Sequence, residues 1–145
     1  MNRIFNTNFN HNSLDIALLI FRISLALLML SHGIPKLNSL IAGGEVQFPD
    51  IIGIGAKTTL ILAVFAEVFC SVLILLGLAT RLAVLPLITT MLIAIFIAHG
   101  NDGLKEKELA IHFLVSYLVL LIVGAGGFSI DKILSRKITR ARRGY

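Results

Sequence analysis

Two ionisable side chains stand inside long apolar runs. Arg22 interrupts a run from about Asp15 to Gly33, and Glu67 lies near the middle of a run from Thr58 to Leu78. A charge within a membrane-spanning segment is costly and is kept for pairing or for function. On antiparallel helices Arg22 would lie about 10 Å, and Glu67 about 16 Å, from the same end at 1.5 Å per residue. An extended arginine closes such a gap by snorkelling. The expectation is a buried Arg22–Glu67 pair between the first two helices. Such a pair either fixes helix register or forms a polar centre that moves protons or holds a quinone oxygen.

A second set gathers where two runs end and another begins. Ser31, His32, Gly33 and Lys36 close the first run, and His99 closes a run from Leu82. Glu106, Glu108 and His112 open the last run, about Leu109 to Phe128. Glu108, His112 and Ser116 are spaced i, i+4, i+8 and share a helix face. Three of the four histidines thus fall at one end of the predicted helices. Histidine changes charge near neutral pH and is the commonest metal ligand. The expectation is one polar pocket enclosed by His32, His99, Glu108 and His112, with Lys36 beside it. His99, Glu108 and His112 together have donors for a transition metal, but no short-spaced ligand motif supports one, and no metal is assigned. His99 and His112 are the candidates for holding a cofactor: a quinone first, a haem between two histidines second. The alternative is a set of wet interfacial histidines.

Other reactive residues point to packing. Cys70 is the only cysteine, which excludes an intramolecular disulfide and a cysteine zinc cage. One turn from Glu67 in an apolar helix, it reads as a neutral packing thiol. Gly124, Gly126 and Gly127 end a helix rather than follow a strand, so they terminate it rather than cradle phosphate. The chain has no CxxC pair and no dinucleotide fingerprint. Electron chemistry would therefore come from a bound cofactor or a partner.

The elements that must position these residues are membrane helices. Of 145 residues, 57% are hydrophobic and only 14% charged; mean hydropathy is +0.91. Soluble domains average roughly 25% charged residues. This excludes a water-soluble enzyme, a disordered chain and a disulfide scaffold. Spanning about 30 Å of hydrocarbon takes about 20 apolar residues, and in lipid such runs must be helical. Strand alternation, the mark of a membrane barrel, is missing. The fold expected is all-α: an integral membrane four-helix bundle with short loops, one domain over 1–145, with spans at about 15–33, 58–78, 82–99 and 109–128.

Residues 79–81 read as a tight hairpin and 100–107 as a polar turn. The long connection 34–57, rich in Gly, Pro and apolar residues, reads as a folded cap or re-entrant piece. The tail 129–145 has Ser129 to cap a helix, with Asp131 in its first turn. Ile130, Ile133, Leu134 and Ile138 recur there at helical spacing among basic residues. That is the pattern of an amphipathic interfacial helix facing anionic headgroups. Arg3, Arg81 and six basic residues of the tail make eight Lys and Arg at one end; Lys36, Lys57, Lys105 and Lys107 make four at the other. The positive-inside rule then places both termini in the cytoplasm. The first run lacks a following small-residue cleavage site and reads as an uncleaved helix.

Three motifs, in order, resemble the DoxX family of small bacterial four-helix membrane proteins. Arg22 is followed by His32-Gly33-Ile34-Pro35-Lys36-Leu37, similar to an H-G-x-x-K-L ending. Glu67 is followed by Leu76-Gly77-Leu78-Ala79-Thr80-Arg81, similar to L-G-x-x-T-R. Helix four begins at Glu108 and ends in Gly124-Ala125-Gly126-Gly127-Phe128-Ser129-Ile130-Asp131, similar to G-x-G-x-x-S-L-D, with Ala125 where the family carries proline. The resemblance covers roughly residues 14–134. It implies a bacterial inner-membrane location and a redox association. Family members are described as quinol oxidase or thiosulfate:quinone oxidoreductase subunits, or as parts of membrane complexes handling thiol and oxidative stress. It places weight on Arg22, His32, Lys36, Glu67 and Glu108 as the working residues.

The leading expectation is therefore a redox-associated subunit that meets a quinone or a thiol-oxidising partner. The alternatives are a small proton-coupled transporter, whose charges form a relay, and a scaffold holding a soluble enzyme by its basic tail. The partners expected are the bilayer and a soluble or membrane redox protein. A homo-oligomer is allowed, and nucleic acid is not expected.

Overall fold

The computed structural model describes residues 10–43, 48–50 and 53–143, with side chains as far as Thr139. It contains five helices: α1 (His11–Ala42), α2 (Ala56–Leu76), α3 (Thr80–Ala98), α4 (Leu104–Val123) and α5 (Ile130–Arg143). No strand occurs among the described residues. The protein is an all-α membrane protein. Helices α1 to α4 make the bundle, and α5 leaves it as a strongly amphipathic tail. Arg22 lies beside Gly77, and Gly33 lies beside Glu67, so α1 and α2 are antiparallel. The short links 77–79 and 99–103 turn α3 and α4 in the same alternating way.

Leu25, Met29, Ile74, Leu87, Tyr117 and Leu120 fill the bundle interior. The outer faces are equally apolar: Phe96 and Ile122 are 72% and 75% exposed. In water such surface would aggregate; in hydrocarbon it is solvated. Three helices, α1 to α3, are long and apolar enough to cross a membrane. Helix α4 has the length, 20 residues, but its first turn carries Lys105, Glu106, Lys107 and Glu108.

Two expected boundaries are corrected. The first helix does not stop near Gly33 but continues through Pro35 to Ala42, 32 residues in all. Proline removes one backbone donor, and the helix continues through that gap to Ala42. At 1.5 Å per residue α1 is about 48 Å long, more than a hydrocarbon core requires. The last bundle helix ends at Val123 rather than Phe128, because Gly124 and Gly126 adopt φ of +84° and +77°. Its charged first turn, Leu104 onward, is helical and takes in the second half of the expected polar turn 100–107.

Helix α2 ends in a complete Schellman motif. Gly77 is left-handed (φ +67°), the Leu78 N–H donates to Leu73 O, and the Gly77 N–H donates to Ile74 O. Ala79 follows with φ +49°, the described non-glycine residue held in that region. Asp131 secures it from the far end of the chain: Oδ1 accepts from the Ala79 N–H at 2.7 Å and Oδ2 from the Thr80 N–H at 3.0 Å. This caps α3 with a carboxylate, where the helix dipole favours one.

Of the long connection, Phe48 to Asp50 and the stretch from Gly53 onward are described. Asp50 accepts from the N–H groups of Ile54 and Gly55, both at 3.0 Å, and so orders the entry to α2. Residues 34–42 of the expected cap are instead the last turns of α1, and 44–47 and 51–52 lie outside the described residues, as do Arg3 and the side chains at the chain end that entered the charge count.

Candidate functional site

The bundle has polar groups at two depths. At the end formed by the α2–α3 link, Arg22 is 2% exposed and reaches the turn after α4. Its Nη1 donates to Ala125 O at 2.8 Å and its Nη2 to Phe128 O at 2.9 Å. That turn has left its helix, so these carbonyls have no ladder partners of their own. Asp15 completes the clamp by accepting from the Gly127 N–H at 2.6 Å. Gly77 faces the guanidinium, and a Cβ there would collide with Arg22 Nη1.

The expected Arg22–Glu67 pair is therefore not formed. Ten residues of α2, about 15 Å, separate Glu67 from the Gly77 level where Arg22 lies. Carbonyls at its own depth take the guanidinium first. Glu67 is paired instead with Lys36: Nζ donates to Oε1 at 2.5 Å, the carboxylate side 3% exposed and the lysine 31%. The continuation of α1 past Pro35 brings Lys36 there. Gly33, one turn earlier, makes the approach possible, because a Cβ on it would lie 2.8 Å from Val68 Cγ2 and 3.0 Å from the Glu67 backbone.

The Lys36–Glu67 pair lies in the wall of a cavity of about 700 Å³. The cavity is largely apolar, walled by Met29, Leu62, Phe65, Met91, Leu109 and Phe113, with Phe48 and Pro49 of the connection over it. Its polar groups are Lys36, Glu67, His32, His99, Glu106 and the hydroxyls of Thr59, Thr89 and Thr90. Glu67 Oε2 is buried and has no partner. His32 meets Phe113 edge to face, centroids 5.9 Å apart, and Lys36 Nζ lies 5.8 Å from the Phe48 ring centre. His99 Nδ1 is 2.8 Å from Asp102 Oδ2, which orients the imidazole.

Two wide turns shape these walls. Phe65–Cys70 in α2 and Ala94–Ala98 in α3 are π-helical, and the His99 N–H reaches back five residues to Ala94 O. Each contributes to the cavity lining, through Phe65, Ala66 and Glu67 on one side and Ala94 and Ala98 on the other. A π turn admits an extra residue and re-aims its neighbours; such turns are frequent at functional sites.

The expected shared pocket is thus half realised. His32 and His99 line one cavity together with Lys36 and Glu67; Glu108 and His112 are exposed and outside it. His112 Nδ1 is engaged locally with Glu108 O at 2.7 Å. The inward stripe of α4 is Phe113, Tyr117 and Leu120. Continued toward the N-terminus it passes through Ala110 and Glu106, so Glu106 takes the place expected of Glu108. Among the described residues no group of three or more His, Cys, Asp or Glu side chains could hold a metal. His99, Glu108 and His112, the three with donors for a metal, do not share one cavity.

The sequence model of the DoxX family matches residues 17–100. The chain belongs to the DoxX family. A relative, inner membrane protein YqjF of Escherichia coli (strain K12), is 28% identical over 127 residues, 85% of this chain and 95% of its own length. No solved structure matches the chain. The DoxX match spans α1 to α3, and with them Arg22, His32, Lys36, Glu67 and His99. Glu106, Phe113 and the turn that receives Arg22 lie beyond it.

Sequence reading missed the Lys36–Glu67 contact, the threonines and Glu106. A signal for the first existed: i to i+3 spacing places Gly33 and Lys36 on neighbouring turns of one face once Pro35 is accepted inside the helix. Nothing local marks Glu106 over Glu108.

Proposed function

We propose that this DoxX protein is a redox-associated membrane subunit whose cavity holds a quinone headgroup. The observation that carries the reading is an ion pair with a spare carboxylate oxygen, set in the wall of a mostly apolar cavity between the helices. Ligand sites are typically about 300–1,000 Å³, apolar, with a few convergent polar groups. A quinone is a flat apolar ring with two carbonyl oxygens. Lys36 has N–H donors for one of them; the hydroxyls of Thr59, Thr89 and Thr90 donate to Gly55 O, Leu85 O and Pro86 O, so a threonine serves the other only by turning its proton from its own helix to the ligand. Reduction to quinol takes up two electrons and two protons. The electrons come from a redox partner, soluble or in the membrane. Glu67 and His32 are placed to deliver the protons, and His99 to exchange them with water.

The setting proposed is a bacterial cytoplasmic membrane with both termini inside. It is supported by the eight-to-four bias of basic residues and by the relative's name. A cysteine introduced into 100–107 should then be labelled from outside in intact cells. Protection there would reverse the orientation.

The test of function is binding of a short-chain ubiquinone to the protein purified in mild detergent, together with mass spectrometry of retained small molecules. Lys36→Met should weaken binding by about tenfold, the range of one charge-assisted hydrogen bond, and Thr90→Val by less. No retained quinone and no titratable binding would overturn the reading, as would equal affinity in Lys36→Met. Co-purification of a soluble enzyme with no ligand would make the chain a scaffold instead.

A further inference from the structure

The opposite end of the bundle carries a second recess, of about 430 Å³, between the start of α3, the end of α4 and the start of α5. Arg81, Lys132 and Ser135 line it, with Thr80 at its floor and Leu82 and Val123 also in its lining. Thr80 is fully buried, and its Oγ1 has no partner. Arg81 spends one N–H on Ile122 O at 3.1 Å, and among the described residues neither Arg81 nor Lys132 has a carboxylate within ion-pair distance. Asp131 also faces the recess, but its two oxygens are bonded to the Ala79 and Thr80 N–H groups. The recess therefore presents two cations and the Ser135 hydroxyl to an occupant, against the one bonded carboxylate of Asp131.

Its rim is of the opposite character. Leu82 is 70% exposed and Val123 45%; both belong to helices of the bundle and stand on the hydrocarbon side. We infer that this recess is a binding site for an anionic phospholipid, its phosphate held by Arg81, Lys132 and Ser135 and its acyl chains lying along Leu82 and Val123. A free phosphate would use the cations but not the apolar rim. The cations are held in place relative to the bundle. The Asp131 N–H donates to Gly77 O at 2.9 Å, and the Lys132 N–H donates to Ser129 Oγ at 3.2 Å, so the first turn of α5 is bonded to the α2–α3 link. Beyond that turn, Ile133, Leu134 and Ile138 are exposed among Lys132, Arg136 and Lys137.

The experiment uses the whole chain, stripped of lipid in neutral detergent. Phosphatidylglycerol, phosphatidylcholine or inorganic phosphate is added back. Retained lipid is read by native mass spectrometry and stability by thermal unfolding. Phosphatidylglycerol should be retained and raise the melting temperature; phosphatidylcholine and phosphate should do neither. Arg81→Gln with Lys132→Gln should cut retention by about thirtyfold, two basic contacts at the usual strength. Arg136→Gln with Lys137→Gln should leave it unchanged. If the Arg81 change prevents folding, Lys132→Gln and Ser135→Ala alone must still weaken retention. Equal retention of both lipids overturns the proposal. So does a full shift from phosphate alone, or an equal loss in the two double variants.

Discussion

The two ends of the bundle each engage a cation, one buried and one partly exposed, and they use it differently. Arg22 is spent on backbone. Both of its terminal nitrogens lie on carbonyls of one turn, and the turn, the α2–α3 link and the start of α5 are bonded together around it. Lys36 meets a side chain that can lose or gain a proton, beside a cavity, with one carboxylate oxygen to spare. The guanidinium suits the first task because its planar fork serves two acceptors at once and stays charged. The ammonium suits the second because it is a point donor on a flexible stem, partly open to what enters the cavity. An intramembrane charge is thus no sign of chemistry until its partner is known. The arginine end is architecture, and the lysine end has the open valences of a site.

The contrast can be broken by substitution. Arg22→Met should have the largest effect, about 2–6 kcal/mol from two orphaned carbonyls at about 1–3 each, read as loss of thermal stability in detergent. Adding Glu67→Gln should restore nothing; restoration would mean that the two residues communicate after all. Lys36→Met should cost less, about 1–3 kcal/mol, because the lysine is partly exposed and the carboxylate it leaves can protonate. Here Glu67→Gln should recover part of the loss, so the double-mutant cycle is non-additive. Strict additivity would dissolve the pair.

Smaller changes sharpen the picture. Gly33→Ala forces a Cβ against Val68 and the Glu67 backbone. It should destabilise by about 1–2 kcal/mol, in the range of overpacking, and should lower quinone affinity more than Leu109→Ala does. Unchanged affinity would show that close α1–α2 contact is not needed to set the ion pair. Ala79→Gly should act in the opposite direction. Relieving one left-handed non-glycine residue is worth about 1 kcal/mol, so the melting temperature should rise slightly with quinone binding untouched. A fall would mean that the Ala79 methyl packs where its backbone is strained.

Much of the fold was legible because a membrane helix is a one-dimensional property. Length, apolarity and the absence of strand alternation are local, and lipid permits little else. The same reasoning found Arg22, Glu67, His32, Lys36 and His99, since an ionisable residue in or at the end of an apolar run is conspicuous. It ended the first helix near Gly33, where the apolar run stops, because hydropathy marks the span in lipid and not the length of the helix, which runs through Pro35 to Ala42. It misjudged partners because depth along a helix fixes height but not which neighbour comes closest. Arg22 and Glu67 seemed within snorkelling reach until the Ala125 and Phe128 carbonyls stood nearer to one and Lys36 to the other.

Composition and hydropathy by themselves determined that the chain is a bundle of membrane helices with a basic amphipathic tail. The resemblance in three short motifs determined its family. Tertiary structure alone decided which residues share a cavity. A helix that is apolar on every side carries no periodic signal of its inward face, so the phase of α4 was open until Phe113, Tyr117 and Leu120 packed into the core. That packing put Glu106, itself exposed, in the cavity lining and left Glu108 and His112 out of it. The side-chain period of a helix is 3.6 residues, and a shift of two residues is more than half a turn, enough to separate a site from a surface.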